Sequence, residues 1–302
     1  MRTRISIVTL VLAACAASTI GHLSVAAQEG GRRPATVAGC SASDFARFYP
    51  CAMEKARTFN PPRTRDGLPD MTGFWSRLVS TEDIQDRPEV VGQSAQKSLI
   101  VDPADGRIPY LPWAAAQKKT NLEKYISPTA FCDVPGVPRM TYNFGKWQVF
   151  ESPGQVVFMP EAAGSVTRRV IPTDGRPHVP PSIKLWMGDP VGRWEGNTLV
   201  VDVTNLNGKT WFDAAGDFQT ENVHVVEHFT LIDKDTMLYV ADIEDATEFT
   251  RPWKIAFPIP RYQGDDQEIW EVGCHEGNKA VTPLLKGGYN RFPGVKPPAS
   301  AR

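Results

Sequence analysis

The run Trp186–Asp202, WMGDPVGRWEGNTLVVD, decides the fold class. It reads as a hairpin: a Gly-Arg-Trp strand end, the turn Glu195-Gly196-Asn197 and an alternating strand over 198–203. Gly196-Asn197 supplies the positive φ that a tight turn needs, and Leu199, Val201 and Val203 fall on one pleat face. The same grammar of short strand and Gly/Asn/Asp turn recurs from Asn143 onward. Its runs are 144–150, 154–159, 165–171, 183–187, 197–204, 209–213, 222–232, 236–243, 252–258 and 267–274. With no helix long enough for a crossover, these runs predict an antiparallel meander. The expectation is a mainly β protein built on a lipocalin-like antiparallel barrel, with a β-sandwich as the alternative.

Upstream, Asp44 to Thr58 reads as a helix with Ser43 as its N-cap. Phe45, Phe48, Ala52 and Ala56 recur at helical spacing, and Pro50 is a point where the helix kinks or splits. Leu111–Tyr125 is a second helix, amphipathic through Trp113, Ala116, Leu122 and Tyr125, while Gly73-Phe74-Trp75 opens a first strand. The chain therefore divides into a leader (1–27), a flexible polar tether (28–42), a helical and irregular segment with the first strand (43–130), the barrel (131–280) and a tail (281–302).

Arg2 and Arg4 precede the uncharged run Ile5–Ala14, the layout of an export signal. Ser24-Val25-Ala26 and Val25-Ala26-Ala27 fit a signal peptidase site, the preferred reading. Leu12-Ala13-Ala14-Cys15 also fits a lipobox, which would leave Cys15 acylated. The run is too short for a permanent membrane span, so the expected location is periplasmic or secreted. Of five cysteines, cleavage leaves Cys40, Cys51, Cys132 and Cys274, an even number in an oxidising compartment. Cys40–Cys51 would close a short loop and Cys132–Cys274 would tie the entry of the β-region to its last strand, but three pairings are open.

No Cys-x-x-Cys or Cys/His spacing suggests zinc. The 33 basic and 34 acidic residues nearly cancel, which leaves no field to collect nucleic acid. There is no Gly-x-Ser-x-Gly elbow, P-loop or dinucleotide fingerprint. No cofactor is expected, and the expected partner is a small molecule.

Four stretches carry a wider pattern: Pro62–Trp75 (PRTRDGLPDMTGFW), Arg169–His178 (RVIPTDGRPH), Trp186–Asp202 and Thr250–Trp253 (TRPW). In these the chain resembles a family of secreted, β-rich proteins of environmental bacteria. It departs at Asn197, where the family has Asp, at Ala246, where Pro is usual, and at Phe249, which stands for Tyr. The resemblance spans most of the mature chain and implies export and a β-rich fold. It assigns no chemistry.

Candidate chemistry comes from a few ionisable groups. In the strand VHVVEHFTL, Val223, Val225, Glu227, Phe229 and Leu231 share one face. Facing a barrel interior, Glu227 is a carboxylate in an apolar cavity, where desolvation favours its protonated form and suits it to acid–base work. The competing reading pairs it with a buried Arg such as Arg169 as a structural bridge. His224 and His228 share the opposite face, where solvent exposure is favoured over metal chelation. His178 sits in the rigid loop TDGRPHVP, with Asp174 placed to orient its imidazole; the bland alternative is an Asx-turn closed by Asp174. Trp186 and Trp211 are candidate walls for a ligand. Together these predict a cofactor-independent lyase, isomerase or hydrolase for a small aromatic or hydrophobic compound. Glu227 or Asp174–His178 would move the proton, and Arg169 would steady negative charge. A carrier without turnover is the alternative.

Overall fold

The computed structural model describes residues 36–79, 82–86, 95, 97–143, 145–161, 168–271 and 273–301. The leader at 1–27, with Cys15, lies outside the described residues. The segment read as a tether ends in a small hairpin, β1 (Thr36–Val37) with β2 (Cys40–Ser41), and the Cys40–Cys51 disulfide fastens it to helix α1 (Phe45–Thr58). Asp44, not Ser43, caps α1: its Oδ1 accepts the Arg47 N–H at 3.2 Å. Pro50 lies within α1 without dividing it.

After β3 (Gly73–Ser76) and β4 (Ile100–Asp102), helix α2 (Pro112–Lys124) leads into β5 (Tyr125–Ile126) and the short α3 (Met140–Asn143). The buried face of α2 is Ala114 and Asn121, and the expected Leu122 is exposed. The reason is polar: Asn121 Nδ2 donates to the Gly216 carbonyl at 3.0 Å and sets the helix's rotation.

The β-rich part follows as β6 (Lys146–Ser152), β7 (Gln155–Pro160), β8 (Arg169–Pro172), β9 (Asp189–Glu195), β10 (Thr198–Thr204), β11 (His224–Asp233), β12 (Thr236–Glu244) and β13 (Trp253–Pro260). The 186–202 hairpin forms as β9 and β10, and Gly196 alone takes the positive φ (60°), the pattern of a type II′ turn. Three expected strands are absent. At 183–187 the carbonyls of Val179, Pro180 and Ile183 are instead taken by Asn205 Nδ2. Residues 209–213 give only an isolated bridge between Trp211 and Phe218, and the described residues of 267–274 form no strand, with Trp270 exposed. The tail folds back: after α4 (Val281–Lys286), β14 (Asn290–Arg291) pairs parallel with β5 and Phe292 is buried.

The strands make two main antiparallel sheets, β4-β13-β12-β11-β10-β9 and β3-β6-β7-β8. Their inner faces meet through Phe158 and Phe229, ring centroids 4.9 Å apart. On β11 the period-two reading holds, with Val225, Glu227, Phe229 and Leu231 buried on that inner face. On β12, Met237 to Ala241 are all buried, which requires cover on both sides. The second cover is α1, packed on the outer face, where Lys254 lies over the Tyr49 ring. Each fully buried apolar side chain of this kind stabilises the fold by about 1.5–3 kcal/mol.

Among the described residues no closed barrel is found, and the arrangement is compatible with a sandwich. The sheets touch at both margins without a ladder. At one, Tyr262 N–H donates to the Phe74 carbonyl at 2.9 Å and Arg261 covers the Trp75 ring. At the other, β8 nestles against Gly192 of β9, where an added Cβ would stand 2.7 Å from Ile171 Cγ2 and 3.0 Å from Thr173 Cγ2. Side-chain packing occupies the place where hydrogen bonds would have closed the barrel. Cys132–Cys274 then pins the segment after β13 to the entry of the β-region. Among the described residues no helix is long and apolar enough to cross a membrane.

Gly192→Ala is expected to cost about 1–3 kcal/mol through overpacking at this margin, read as a lower urea midpoint. A variant as stable as the parent would contradict the close approach of β8 and β9.

Candidate functional site

Arg169 of β8 and Glu227 of β11 meet between the two sheets. Arg169 Nη1 donates to Glu227 Oε1 at 3.0 Å, and Nη2 donates to Oε2. Tyr239 of β12 donates its hydroxyl to the same Oε1 at 2.8 Å. Glu227 is fully buried and Arg169 is 2 % exposed, so neither group meets solvent. Burial, then the Glu227 charge, push the Tyr239 phenol well above its ordinary value, which keeps it a donor. Both Glu227 oxygens are therefore occupied by fixed donors, and the geometry is that of an inter-sheet bridge.

His178 lies on the opposite face of the six-stranded sheet. Val201 pairs with Glu227 and shares its inward face; the next residue, Asp202, points outward and takes His178 Nε2 at 3.1 Å. The imidazole is oriented by Asp189, whose Oδ2 lies 2.9 Å from Nδ1, and not by Asp174. Asp174 closes an Asx-turn by accepting the Arg176 N–H at 3.2 Å. Arg176 in turn grips Asp189 with both Nη atoms, and Val179 N–H adds a third donor. Burial works to raise the Asp189 carboxyl, but Arg176, Val179 and His178 outweigh it and hold it below the ordinary carboxylate value.

The chain of contacts continues across the sheet. Asp202 Oδ1 is also 3.1 Å from His224 Nε2, and His224 Nδ1 is 2.8 Å from Glu244. Burial pulls His224 down, yet Glu244 and Asp202 outweigh it and hold its pKa above the ordinary imidazole value. His228 makes a separate pair with Asp242, which Lys254 shares.

A separate concavity lies where the 62–72 turn segment meets the β6–β7 hairpin and Trp194 of β9. It is a cavity of about 310 Å³, near the lower end of small-ligand pockets, roughly 300–1,000 Å³. Glu151, at the end of β6, reaches into it and accepts the Met71 N–H on Oε1 at 2.5 Å. Burial pushes the Glu151 carboxyl up to about 7, against the pull of that N–H and with help from Asp70. Arg65, Thr72, Gln155 and Thr173 add polar groups to the wall. Two segments singled out by sequence, Pro62–Trp75 and Trp186–Asp202, thus converge on one carboxyl that sequence reasoning missed. Phe150-Glu151-Ser152-Pro153 reads as an ordinary strand end, and only the distant Met71 contact marks it.

The other expected ligand walls separate. Trp211 is buried against Phe292, ring centroids 5.4 Å apart, and belongs to a small core cluster with Ala114 and Phe218. Trp186 lines a shallow groove beside Arg291 and Phe292. One acidic trio was also missed: oxygens of Asp83, Asp213 and Asp217 come within 4.8 Å of one another. Burial, then the neighbouring Asp217, push Asp213 well up. Asp217 already serves Lys118 and Tyr110, Asp213 the backbone N–H groups of Ile84, Ala215 and Asp217, and Asp83 the N–H of Gln85, which accounts for the three as loop anchors.

Comparison with family models, with curated proteins and with solved structures gives no match for this chain. For the buried bridge, Glu227→Gln is expected to cost about 3–5 kcal/mol by stranding Arg169, and replacing both partners with apolar residues should cost less than that single change. Chemical denaturation checks this; a loss under about 1 kcal/mol for the single variant would contradict the bridge.

Proposed function

We propose that this chain is an exported enzyme that moves a proton with Glu151, acting on a small ring compound bound in the adjoining cavity. The observation that carries this reading is a carboxyl with a proton affinity near neutrality in the wall of a ligand-sized cavity. At pH 7 such a group is divided between acid and base, so it can give a proton in one step and take one in the next. Met71 N–H fixes Oε1, and Oε2 is the atom assigned to proton transfer. Trp194 offers a flat wall for a ring, and Arg65 offers positive charge for an oxygen that gains negative charge.

The polar lining favours a substrate carrying hydroxyl or carbonyl groups over a purely hydrophobic one. Lyase, isomerase and hydrolase chemistry all fit a single proton-transferring carboxyl. The leader-like N-terminus and the two disulfides support export.

The test is a panel of small hydroxylated and phenolic ring compounds, scored for binding by ligand NMR and for turnover by mass spectrometry. Glu151→Gln is expected to lose about 10²–10⁴-fold in turnover while still binding. Undiminished turnover in that variant would overturn the reading, and binding without turnover in the parent would make the chain a carrier. Linkage gives a second check. A carboxyl raised to about 7 favours the folded state below its ordinary value, and that contribution is lost as pH rises from about 4.5 through about 7. The parent should therefore lose stability relative to Glu151→Gln across that window.

A further inference from the structure

We infer that the Glu151 cavity binds a sugar ring and hydrolyses its glycosidic bond, with Asp70 as the second carboxylate of the reaction. This rests on the proton-transfer role given to Glu151. One such carboxyl leaves the reaction type open, and a second in the same wall narrows it. Asp70 and Glu151 both line the cavity. The backbone holds them together, because Glu151 Oε1 accepts the N–H of Met71, the residue next to Asp70, at 2.5 Å. Ordinary bond lengths from that N–H back to the Asp70 side chain keep the two carboxyl carbons within about 8 Å. The carboxyl pairs of glycoside hydrolases stand roughly 5–9.5 Å apart.

The two carboxyls sit in different settings, which is what divides an acid from a base in such a pair. Burial raises Glu151 to about 7 despite the Met71 N–H, and the charge of Asp70 adds to the rise. Asp70 is half-buried and within reach of water. Its Oδ1 accepts the Thr72 N–H at 3.0 Å and the Thr72 hydroxyl as well. Among the described residues no hydrogen bond occupies its Oδ2, which is the oxygen left to act as acceptor.

The rest of the lining suits a hydroxyl-rich ring. Trp194 offers an apolar wall for the C–H side of a sugar, and Arg65, Gln155 and Thr173 bring donors and acceptors for its hydroxyls. A cavity of about 310 Å³ has the size for one ring rather than a chain of them. In the step, the bond between the anomeric carbon and the leaving oxygen breaks as Glu151 Oε2 gives that oxygen its proton. A water oxygen bonds to the anomeric carbon from the other side and passes a proton to Asp70 Oδ2. One water is consumed and the anomeric configuration inverts. The proton then returns from Asp70 to Glu151 through solvent, which restores both groups.

The experiment gives the full chain methyl and nitrophenyl glycosides of glucose, galactose, mannose and xylose, in both anomers, with products read by NMR. Cleavage of at least one is expected, with inversion at the anomeric carbon. Glu151→Gln should lose about 10²–10⁴-fold on the methyl glycoside, and much less on the nitrophenyl one, whose leaving group needs little protonation. Asp70→Ala should lose activity on both. Added azide should restore turnover of the nitrophenyl substrate as the glycosyl azide, a product that a merely structural role for Asp70 would not yield; Asp70→Asn serves where Asp70→Ala does not fold. No cleavage of any glycoside, retention of configuration, full activity without Asp70, or loss that azide does not rescue would overturn the inference. Glu151-dependent turnover of a ring compound that is not a glycoside, beside such a result, would leave the role of Glu151 intact. Undiminished glycoside cleavage in Glu151→Gln would sink both.

Discussion

The two sheets are joined by one buried charge pair between β8, at the edge of one sheet, and β11, in the interior of the other. Arg169 and Glu227 sit at 2 % and 0 % exposure, with Tyr239 completing the carboxylate's donors. Taking two charges out of water costs several kcal/mol each, and mutual attraction repays that only where the geometry is good and the remaining valences are filled. Both conditions hold on the carboxylate side; on the guanidinium side Nε remains without a partner. The pair therefore fixes which residues of β8 face which residues of β11. Because a one-residue slip would send every side chain to the other face, that register also decides what the outer face displays.

Two consequences follow at a distance from the pair. With Glu227 inward, Val226, His224 and His228 face outward and Asp202 stands beside them, which assembles the histidine–carboxylate chain around His178. With β8 seated against Gly192, its C-terminal end brings Thr173 to the β6–β7 hairpin, where Thr173 N–H donates to the Gly154 carbonyl at 2.7 Å. That contact forms one wall of the Glu151 cavity. The ionisable groups of the molecule are thus sorted into three settings: a sealed bridge, a half-exposed chain and a cavity. Only the last two present a polar atom to a ligand.

Local periodicity made the sheets legible in the sequence. The alternation over 199–203 and 223–231 assigned the correct faces, the Gly196-Asn197 turn placed the hairpin, and the helical spacing of Phe45, Phe48 and Ala52 found α1. Even cysteine number foretold disulfides, though pairing had to come from the fold. What stayed hidden depends on long-range approach. Whether the sheet closes is decided by Ile171 packing into the space left by Gly192. The partner of His178 is Asp189, eleven positions on and past a loop that Asn205 folds back, while the nearer Asp174 is spent on its own turn. Glu151 is separated by 80 positions from the N–H that holds it. Short apolar runs such as 183–187 misled for the same reason, since Leu185 makes only an isolated bridge to Leu206 past the end of β10 and no ladder grows from it.

The central claim is that the chemically poised carboxyl is Glu151 and not the ion-paired Glu227. Carbon-13 NMR of glutamate-labelled protein, with the carboxyl signals followed across pH, tests this most directly. The account predicts one signal titrating near 7 that disappears in Glu151→Gln. A Glu151 midpoint at the ordinary glutamate value near 4.5 would contradict it.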